Sequence, residues 1–338
     1  HLSPEFGLTY KVIEEDGFSI NAKVEMLLSS DTPVGIGKSI GLGVIGFADA
    51  LDRLRPDILV LLGDRYEILA AAQAALVART PIAHIAGGDT TEGAFDEAIR
   101  HSITKMSYLH FVTNEVAAKR VRQLGENPAN IYNVGSPGID QIKRLRLLGR
   151  EELEKSLDFR FRDKNLLVTF HPVTLDCQSA KEQFQSLLDA LNMLGPDIGV
   201  IFTMPNADTD GRILIQMVEG YVDMHHHAKA YTSIGPLGYL SVLAQVDAVV
   251  GNSSSGLYEA PSFKKPTVNI GDRQKGRLQA LSVINCTPDA VSIINAIQKA
   301  FAQDCSDTVN PYGDGESSPR IVAILKQIPD YSRLLNKH

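Results

Sequence analysis

The stretch that decides the fold is residues 58–89, which read ILVLLGDRYEILAAAQAALVARTPIAHIAGGD. It opens with five apolar residues typical of a buried strand, and Gly63 ends that run. The next segment, 66–78, is rich in alanine and leucine and predicts a helix, which Pro81 separates from a second apolar run at 82–86. Strand, helix and strand in this order predict a parallel βαβ unit.

The same alternation of apolar runs and helix-period segments extends from about residue 55 to residue 300. A charge-dense stretch without a strand pattern, 143–164, divides it into two series. We therefore predict an α/β protein with two Rossmann-like doubly wound domains and a cleft between them. Open parallel sheets bind ligands beyond the carboxyl ends of their strands, so we expect functional residues directly after strands.

Composition and charge exclude several classes of protein. The chain has 338 residues, of which 44% are hydrophobic and 22% are charged, as in globular proteins and unlike disordered chains. Its formal net charge of −7 argues against nucleic acid and anionic membranes as partners. Three cysteines far apart in the sequence favour a reducing cytoplasm. We also expect no membrane span, because no apolar run reaches the roughly 18 residues required.

Residues 41–46, GLGVIG, match the glycine spacing of dinucleotide-binding loops. No strand pattern precedes them, and apolar residues at positions 40, 44, 47, 51 and 54 recur at helical spacing. We therefore interpret this segment as an amphipathic helix, and we predict no nicotinamide cofactor.

Asp64 and Arg65 directly follow the first strand run and precede a helix. An aspartate here could act as a helix cap, which is the alternative interpretation. Capping does not require the adjacent arginine, so the pair favours a functional role in the expected cleft.

The second strand run leads into a carboxylate-rich loop, AGGDTTEG at residues 86–93. Asp89 and Glu92 lie in this loop, and Asp96 follows it with Arg100 four residues later on the same helix face. A solvated turn is one interpretation. Carboxylates clustered after a strand are also what general acid–base chemistry requires.

Candidate anion-binding residues follow strand runs in the second half of the chain. His171 ends the first of these runs, where a functional role is favoured over a structural one. Residues 251–256, GNSSSG, begin a helix whose amides and hydroxyls suit a diphosphate, and Glu259 is placed to accept from ribose hydroxyls. Residues 271–277, GDRQKGR, add three cations, with a turn-rich surface loop as the alternative.

Seven ordered motifs give the chain a family resemblance. They are Gly63-Asp64-Arg65, His84-Ile85 with its two glycines, Ile99-Arg100-His101, His171-Pro172-Val173-Thr174, Pro205-Asn206, Gly251-Asn252-Ser253-Ser254 and Arg273-Gln274. Over residues 3–300 they resemble the hydrolysing UDP-N-acetylglucosamine 2-epimerases of sialic and nonulosonic acid biosynthesis. The resemblance implies a glycosyltransferase-B architecture, with an N-terminal domain at 1–150, a UDP-binding domain at 151–316 and a C-terminal helix at 317–338 that packs back on the first domain.

The resemblance also implies roles for individual residues. Asp64 would take part in acid–base chemistry, with Arg65 beside it and Asp96 in the same cleft. His171 would lie near the sugar or diphosphate. The residues that would bind substrate or UDP are Arg65, Arg100, Asn206, Ser253, Ser254, Glu259 and Arg273. No cofactor and no metal are implied, and the protein would act on a UDP-sugar in the cytoplasm as a homodimer or homotetramer.

The chain departs from the family pattern in two places. Many relatives have a catalytic glutamate at the position of Ala86, so that carboxylate has to come from elsewhere. Asp89 is the first candidate substitute and Glu92 the second, because both lie in the same loop. Family members also open with a strand and a glycine–arginine–glutamate loop ahead of the position of His1, so we expect the sequence to be N-terminally incomplete, with a gap in the first sheet.

The implied reaction converts UDP-N-acetylglucosamine, or its 4-acetamido-6-deoxy analogue, to UDP and the free C2-inverted sugar of the N-acetylmannosamine type. Two alternatives stay open. One is a UDP-sugar-dependent glycosyltransferase of the same architecture, and the other is a UDP-sugar sensor without turnover, which Ala86 favours. The four carboxylates Asp64, Asp89, Glu92 and Asp96 favour the enzyme.

Overall fold

The computed structural model describes residues 2, 8–28, 32–90, 96–172, 180–205 and 211–336. The chain divides into two compact units, one made of residues 1–136 and 316–338 and the other of residues 137–315. Each unit is built on its own parallel sheet with helices packed against it.

The sheet of the first unit has four parallel strands, side by side in chain order. They are β1 (Leu59–Leu62), β2 (Ile82–Ile85), β3 (Leu109–Val112) and β4 (Ile131–Asn133). The sequence predicts β1 as a buried strand, but Val60 and Leu62, on one of its faces, are 44% and 57% exposed. Because all four strands are parallel, the loops that follow them lie along one edge of the sheet.

Alanine-rich packing forms the core of the first unit. Its helices are α1 (Tyr10–Glu15), α2 (Pro33–Leu54), α3 (Tyr66–Val77), α4 (Asp96–Met106), α5 (Glu115–Gln123) and α13 (Ser317–Lys326), with short 3₁₀ segments at Pro128–Asn130 and Tyr331–Leu335. The alanines of α3 pack in one apolar cluster with Leu51 of α2 and Ile103 of α4. Because alanine side chains are small, the neighbouring helices can approach α3 closely.

The segment that matches a dinucleotide-binding loop lies inside α2, so its interpretation as a helix is confirmed. Among the described residues, α2 is also one helix that is long and apolar enough to cross a membrane, by length and composition alone. The expectation of no membrane span stays a prediction, because it counted unbroken apolar runs, whereas α2 reaches the required length with glycines among its apolar residues. In this unit, α2 packs along α3 and contributes Leu51 to the core, as a core helix does.

The sheet of the second unit has six parallel strands in the order β10-β9-β8-β5-β6-β7. They are β5 (Lys164–Thr169), β6 (Ile198–Thr203), β7 (Ala228–Tyr231), β8 (Ala248–Gly251), β9 (Thr267–Ile270) and β10 (Val283–Cys286). After β7 the chain returns to place β8 directly beside β5 and then continues on the other side. This reversal is the switch point of a doubly wound sheet, where the loops after β5 and β8 leave a crevice.

Helices cover both faces of the second sheet. They are α6 (Pro137–Arg144), α7 (Arg150–Leu157), α8 (Ala180–Leu194), α9 (Gly211–Met224), α10 (Gly235–Gln245), α11 (Ser255–Tyr258) and α12 (Ala290–Ala302), with a 3₁₀ segment at Ala260–Phe263. On one face Phe184 and Ile297 belong to the larger apolar core. On the other face Leu153 and Leu243 pack around Ile201.

The division of the chain differs from the predicted boundary at residue 150. The first unit ends at Ser136, so residues 137–150 belong to the second unit. The physical reason is that Ile139 of α6 packs with Leu257 and Tyr312, although the charged residues around it resemble a linker. At the other end, α13 packs on the first unit, where Ile321 joins the cluster around Phe111.

Candidate active site

One arginine connects two of the loops at the carboxyl edge of the first sheet. Asp64 follows β1, and one of its carboxylate oxygens accepts a hydrogen bond from Arg100 Nη2. Arg100 Nη1 donates to the backbone carbonyl of Asp89, after β2, at 2.7 Å. The Arg100 side chain is only 8% exposed, so this ion pair is partly withdrawn from water. The N-cap position of α3 is Arg65, which disfavours the interpretation of Asp64 as a helix cap.

The Asp89 carboxylate lies against two polar residues that follow β3. Thr113 Oγ1 lies 3.1 and 3.0 Å from the two carboxylate oxygens, and Asn114 Nδ2 donates to one of them at 3.2 Å. Burial raises the pKa of Asp89 above its ordinary value, while these hydrogen bonds and the nearby arginine charges oppose the rise. A raised pKa moves this carboxyl towards neutral pH, which is the direction that general acid–base catalysis requires.

His84, a buried residue of β2, contacts the backbone beside the cluster formed by Asp64, Asp89 and Arg100. Its Nε2 atom donates to the carbonyl oxygen of Gly63 at 2.8 Å, and its Nδ1 atom lies 3.2 Å from Thr104 Oγ1. Burial lowers the pKa of His84 to about 4, so the imidazole is neutral at physiological pH. A neutral histidine fixes the backbone before Asp64 without adding a charge beside Arg100.

The loop between β2 and Asp89 has an unusual backbone. Ala86 has φ 63° and Gly88 has φ 80°, both in the left-handed region. Gly88 also passes so close to α5 that an added Cβ would lie 2.5 Å from the carbonyl oxygen of Ala117. Arg120 of α5 donates to the Gly88 carbonyl. The loop is therefore held from two sides, and strain of this kind concentrates at functional sites.

Two other predicted residues of the first unit, Arg65 and Asp96, contribute less to this cluster. Arg65 is 69% exposed at its side chain and lies 3.5 Å from Glu67. Asp96 begins α4, one turn before Arg100, and its charge acts on Arg65. Glu92 lies outside the described residues.

In the second unit, an asparagine joins the two loops of the switch point. The backbone amide of His171, after β5, donates to Asn252 Oδ1 at 2.7 Å. Asn252 Nδ2 donates in return to the carbonyl of His171 at 2.8 Å. Asn252 follows β8 and has no exposed surface. This reciprocal pair fixes the backbone of both loops beside the crevice.

A third loop is attached to the same asparagine. Arg273 Nη1 and Gln274 Nε2, both after β9, donate to the backbone carbonyl of Asn252 at 3.0 and 2.8 Å. Arg277 Nη1 donates to Gln274 Oε1 at 3.0 Å. The structure thus brings His171 and Arg273 together at Asn252, one at its side chain and the other at its backbone carbonyl.

The serine loop differs from the predicted helix N-terminus. The helix that follows it, α11, has only four residues, and the side chain of Ser254 at its N-cap position forms no capping hydrogen bond with the described residues. Ser253 Oγ accepts from the amide of Ser255 at 3.3 Å. A helix dipole this short adds little, so any anion binding would depend on the hydroxyls and amides themselves.

Glu259 lies behind the serine loop. Burial raises its pKa, and its Oε2 atom has no hydrogen-bond partner among the described residues. A buried carboxylate oxygen without a partner is costly unless a ligand or water donates to it. Asn206, the remaining predicted residue, lies outside the described part of the chain.

Sequence reasoning missed several residues that organise these clusters. Thr113 and Asn114 follow β3, and the rule that functional residues follow strands could have indicated them. Asn252 and Gln274 lie within the quoted motifs, but nothing in the sequence showed that Gln274, after β9, donates to the backbone carbonyl of Asn252, after β8. Arg120 lies in the middle of a helix and carried no signal.

Comparison with known proteins identifies the family. A family model described as UDP-N-acetylglucosamine 2-epimerase matches residues 1–326. The chain belongs to this family. The predicted resemblance is therefore confirmed, and with it the prediction of an enzyme of the hydrolysing 2-epimerase type.

Two curated relatives of this epimerase bear informative names. The chain is 42% identical over 302 residues to the GDP/UDP-N,N'-diacetylbacillosamine 2-epimerase (hydrolyzing) of Campylobacter jejuni, covering 89% of this chain and 77% of the relative. It is 36% identical over 341 residues to polysialic acid biosynthesis protein P7 of Escherichia coli, covering 100% and 86%.

A solved structure supports the fold of this epimerase. The crystal structure of UDP-GlcNAc 2-epimerase from Neisseria meningitidis bound to UDP-GlcNAc matches with a TM-score of 0.76 and 18% identity. The match covers 96% of this chain and 90% of that one. Together with the two parallel sheets, it confirms the predicted fold class of two Rossmann-like domains.

Proposed function

We propose that this epimerase hydrolyses a UDP-linked 2-acetamido sugar to UDP and the free C2-inverted sugar. The observation that carries the proposal is the cluster after β1, β2 and β3, where Arg100 connects Asp64 to the loop of Asp89. Two carboxylates in different surroundings, one paired with a guanidinium and one half-buried among neutral donors, can serve as separate proton acceptor and donor.

The chemistry requires two proton transfers at C2. In the first step one carboxylate takes the C2 proton, and the C1–O bond breaks with its electron pair leaving on UDP. The product of this step is a glycal with a C1–C2 double bond. In the second step water adds its hydroxyl at C1 and gives its remaining proton to a carboxylate, while a protonated group delivers a proton to C2 from the opposite face, which inverts that centre. We assign these transfers to Asp64 and Asp89, with Asp96, Glu92 and His171 as further candidates.

For the sugar, the name of the 42% identical relative favours the 4-acetamido-6-deoxy analogue of UDP-N-acetylglucosamine, which is UDP-N,N'-diacetylbacillosamine. The name of the polysialic acid relative supports a biosynthetic role that leads to nonulosonic acids. The two candidate sugars differ only at C4 and C6, so the lining around those carbons selects between them.

The experiment that tests the proposal is product analysis with three purified substrates in D₂O. We expect UDP-N,N'-diacetylbacillosamine to give UDP and a free sugar with inverted C2 and deuterium at that carbon, faster than UDP-N-acetylglucosamine and the GDP-linked sugar. Deuterium enters because the C2 proton of the product comes from a group in exchange with water. Tight binding without release of UDP from any substrate would favour a sensor, and turnover only with an added acceptor would favour a glycosyltransferase.

We place the UDP-binding residues in the second unit, where three loops meet at Asn252. Arg273→Ala is expected to weaken UDP binding about 30-fold, or on the order of 2 kcal/mol, because a guanidinium forms charge-assisted hydrogen bonds with phosphate. The measurement is UDP titration by calorimetry.

The matched control for Arg273 is Lys275→Ala in the same loop. Lys275 is 70% exposed at its side chain and lies 3.9 Å from Asp272. Its removal tests whether any cation of the loop attracts UDP, and we expect less than a threefold effect. Equal losses in both variants would replace the specific contact with a general electrostatic attraction.

We further propose that the protein acts in the cytoplasm as a homodimer or homotetramer, without nucleic acid or membrane as a partner. The acidic net charge of −7 supports the absence of nucleic acid and membrane partners. Light scattering after size exclusion measures the oligomeric mass directly. A monomer at micromolar concentration would contradict the proposed homodimer or homotetramer.

A further inference from the structure

Two residues, Thr113 and Asn114, hold the Asp89 carboxylate. They are the first residues after β3, whereas Asp89 follows the neighbouring strand β2, so the contact joins two adjacent strand ends. Both are buried, with 3% and 6% of their surface exposed. Buried polar side chains of this kind keep fixed orientations only when their hydrogen bonds are mutually consistent.

The hydrogen bonds of this pair run in one direction. The amide of Ala117 donates to Asn114 Oδ1 at 2.9 Å, which caps α5 and fixes which end of the side-chain amide is the oxygen. The Asn114 Nδ2 group therefore faces Thr113 Oγ1, at 2.9 Å, and Asp89. Because Thr113 accepts from Asn114, its single hydroxyl proton is directed at the Asp89 carboxylate.

The backbone of Asp89 is fixed independently of its side chain. Arg100 of α4 donates to its carbonyl, and Arg120 of α5 donates to the carbonyl of Gly88. Main chain and carboxylate are thus each held by different residues. The orientation of the carboxylate depends on Thr113 and Asn114, and that of the loop depends on the two arginines.

We propose that Thr113 and Asn114 are positioning residues that aim the Asp89 carboxylate at the substrate and keep it in one orientation during proton transfer. This inference rests on the proposed function, because it requires Asp89 to exchange the C2 proton. Thr113 and Asn114 contact Asp89, and neither is assigned a contact with a reacting atom of the sugar. Thr113 and Asn114 act on the orientation and the proton affinity of the Asp89 carboxylate.

The charges around Asp89 determine the direction of a pH effect. Arg100 and Arg120 face it from α4 and α5, and both favour its ionised form, as do the hydrogen bonds from Thr113 and Asn114. Burial acts in the opposite direction and prevails, so the pKa of Asp89 is raised. Removing one donor removes a contribution that lowers this pKa, so the pKa rises further. The limb of the pH profile that reports Asp89 then moves to higher pH, whether Asp89 acts as the acid or as the base.

The main test is Thr113→Val in the full chain, which keeps the side-chain shape and removes the hydroxyl. We expect kcat to fall on the order of 10- to 100-fold, with KM and UDP affinity within about threefold. The limb assigned to Asp89 should move upward by about 0.5 to 1 pH unit. Thr113→Ser should restore both quantities, because it returns the hydroxyl.

The matched control is Thr80→Val, the same change at a buried threonine of the same unit. Thr80 precedes Pro81 and β2, so it lies at the opposite edge of the sheet from Asp89. We expect unchanged kcat and an unchanged pH profile. A similar fall in both valine variants would show a general effect of burying a methyl group, which would overturn the positioning role.

A second variant, Asn114→Asp, keeps the inference testable if Thr113→Val does not fold. Aspartate remains a good cap for α5 but cannot donate to Asp89 or Thr113, and it adds a negative charge beside Asp89. We expect a larger upward movement of the same limb and a lower thermal midpoint, because the added carboxylate is buried beside Asp89, and circular dichroism confirms that the variant is folded. An unchanged pH profile would overturn the role of Asn114.

The background of Asp89→Asn separates failure of this inference from failure of the proposed function. If Thr113 acts through Asp89, Thr113→Val should add less than a twofold loss in that background. A full additional 10- to 100-fold loss there would place Thr113 on a different pathway and overturn the inference. Normal turnover of Asp89→Asn alone would instead overturn the assignment of Asp89, on which the proposal rests.

Discussion

Replacing Asp89 by asparagine is expected to lower kcat by roughly 10²–10⁴, the usual contribution of general acid–base catalysis. The side-chain amide keeps an oxygen for Thr113 and Asn114 but neither takes up nor releases a proton near neutral pH. UDP affinity should stay within about threefold, because the proposed UDP residues belong to the second unit. Steady-state kinetics and calorimetry with UDP measure the two quantities separately.

Asp64→Asn should lower kcat by a similar factor, for the same reason. In this variant Arg100 keeps a hydrogen-bond acceptor but loses the opposite charge, so denaturant unfolding is measured alongside the kinetics. The matched control is Glu115→Gln on α5, an exposed carboxylate 3.0 Å from Arg122 and outside the proposed machinery. We expect that control to leave both turnover and stability nearly unchanged.

Glu92→Gln decides between the two substitutes for the glutamate missing at Ala86. A large loss of turnover in Glu92→Gln, together with a mild effect of Asp89→Asn, would transfer the role to Glu92. Turnover close to that of the unchanged protein in Asp64→Asn and Asp89→Asn alike would remove both carboxylates from the chemistry.

The second large effect is expected from Gly251→Ala, at the end of β8. Gly251 has φ 136°, and an added Cβ would lie 1.9 Å from the carbonyl oxygen of Thr169 on the adjacent strand β5. The three nearest atoms all belong to the backbone of Thr169, so no flexible side chain can give way. We expect the free energy of unfolding to fall by roughly 3 kcal/mol or more, from the forced backbone and the overlap together. Urea unfolding followed by circular dichroism measures the loss.

Gly195→Ala is the control that separates backbone strain from steric overlap. Gly195 has φ 82°, and an added Cβ there would meet no atom within 4 Å. Its loss should therefore stay near the 1–2 kcal/mol expected for left-handed backbone alone. Equal losses in the two variants would show that the approach of β5 to β8 is not what requires glycine at position 251.

The local sequence was sufficient to predict most of the strands, although not β7 and β10 at one end each of the second sheet. The apolar run at 58–62 and the alanine-rich helix after it form β1 and α3 as expected. Strands and amphipathic helices leave their own periodicity in the sequence, because each buries one face or stripe. Asp64 and Asp89 could be proposed as candidates for the same reason, since both lie in loops that follow strands.

Tertiary structure decided which loops meet and how each backbone bends. Asn114 reaches Asp89 because β3 pairs with β2, and Asn252 reaches His171 because the chain returns to place β8 beside β5. The left-handed Ala86 depends on contacts from residues distant in sequence, as does the placement of α6 in the second unit. Pairing between strands distant in sequence leaves no periodic signal along the chain, so the sequence determined the parts of the candidate site and only the packed sheets determined their arrangement.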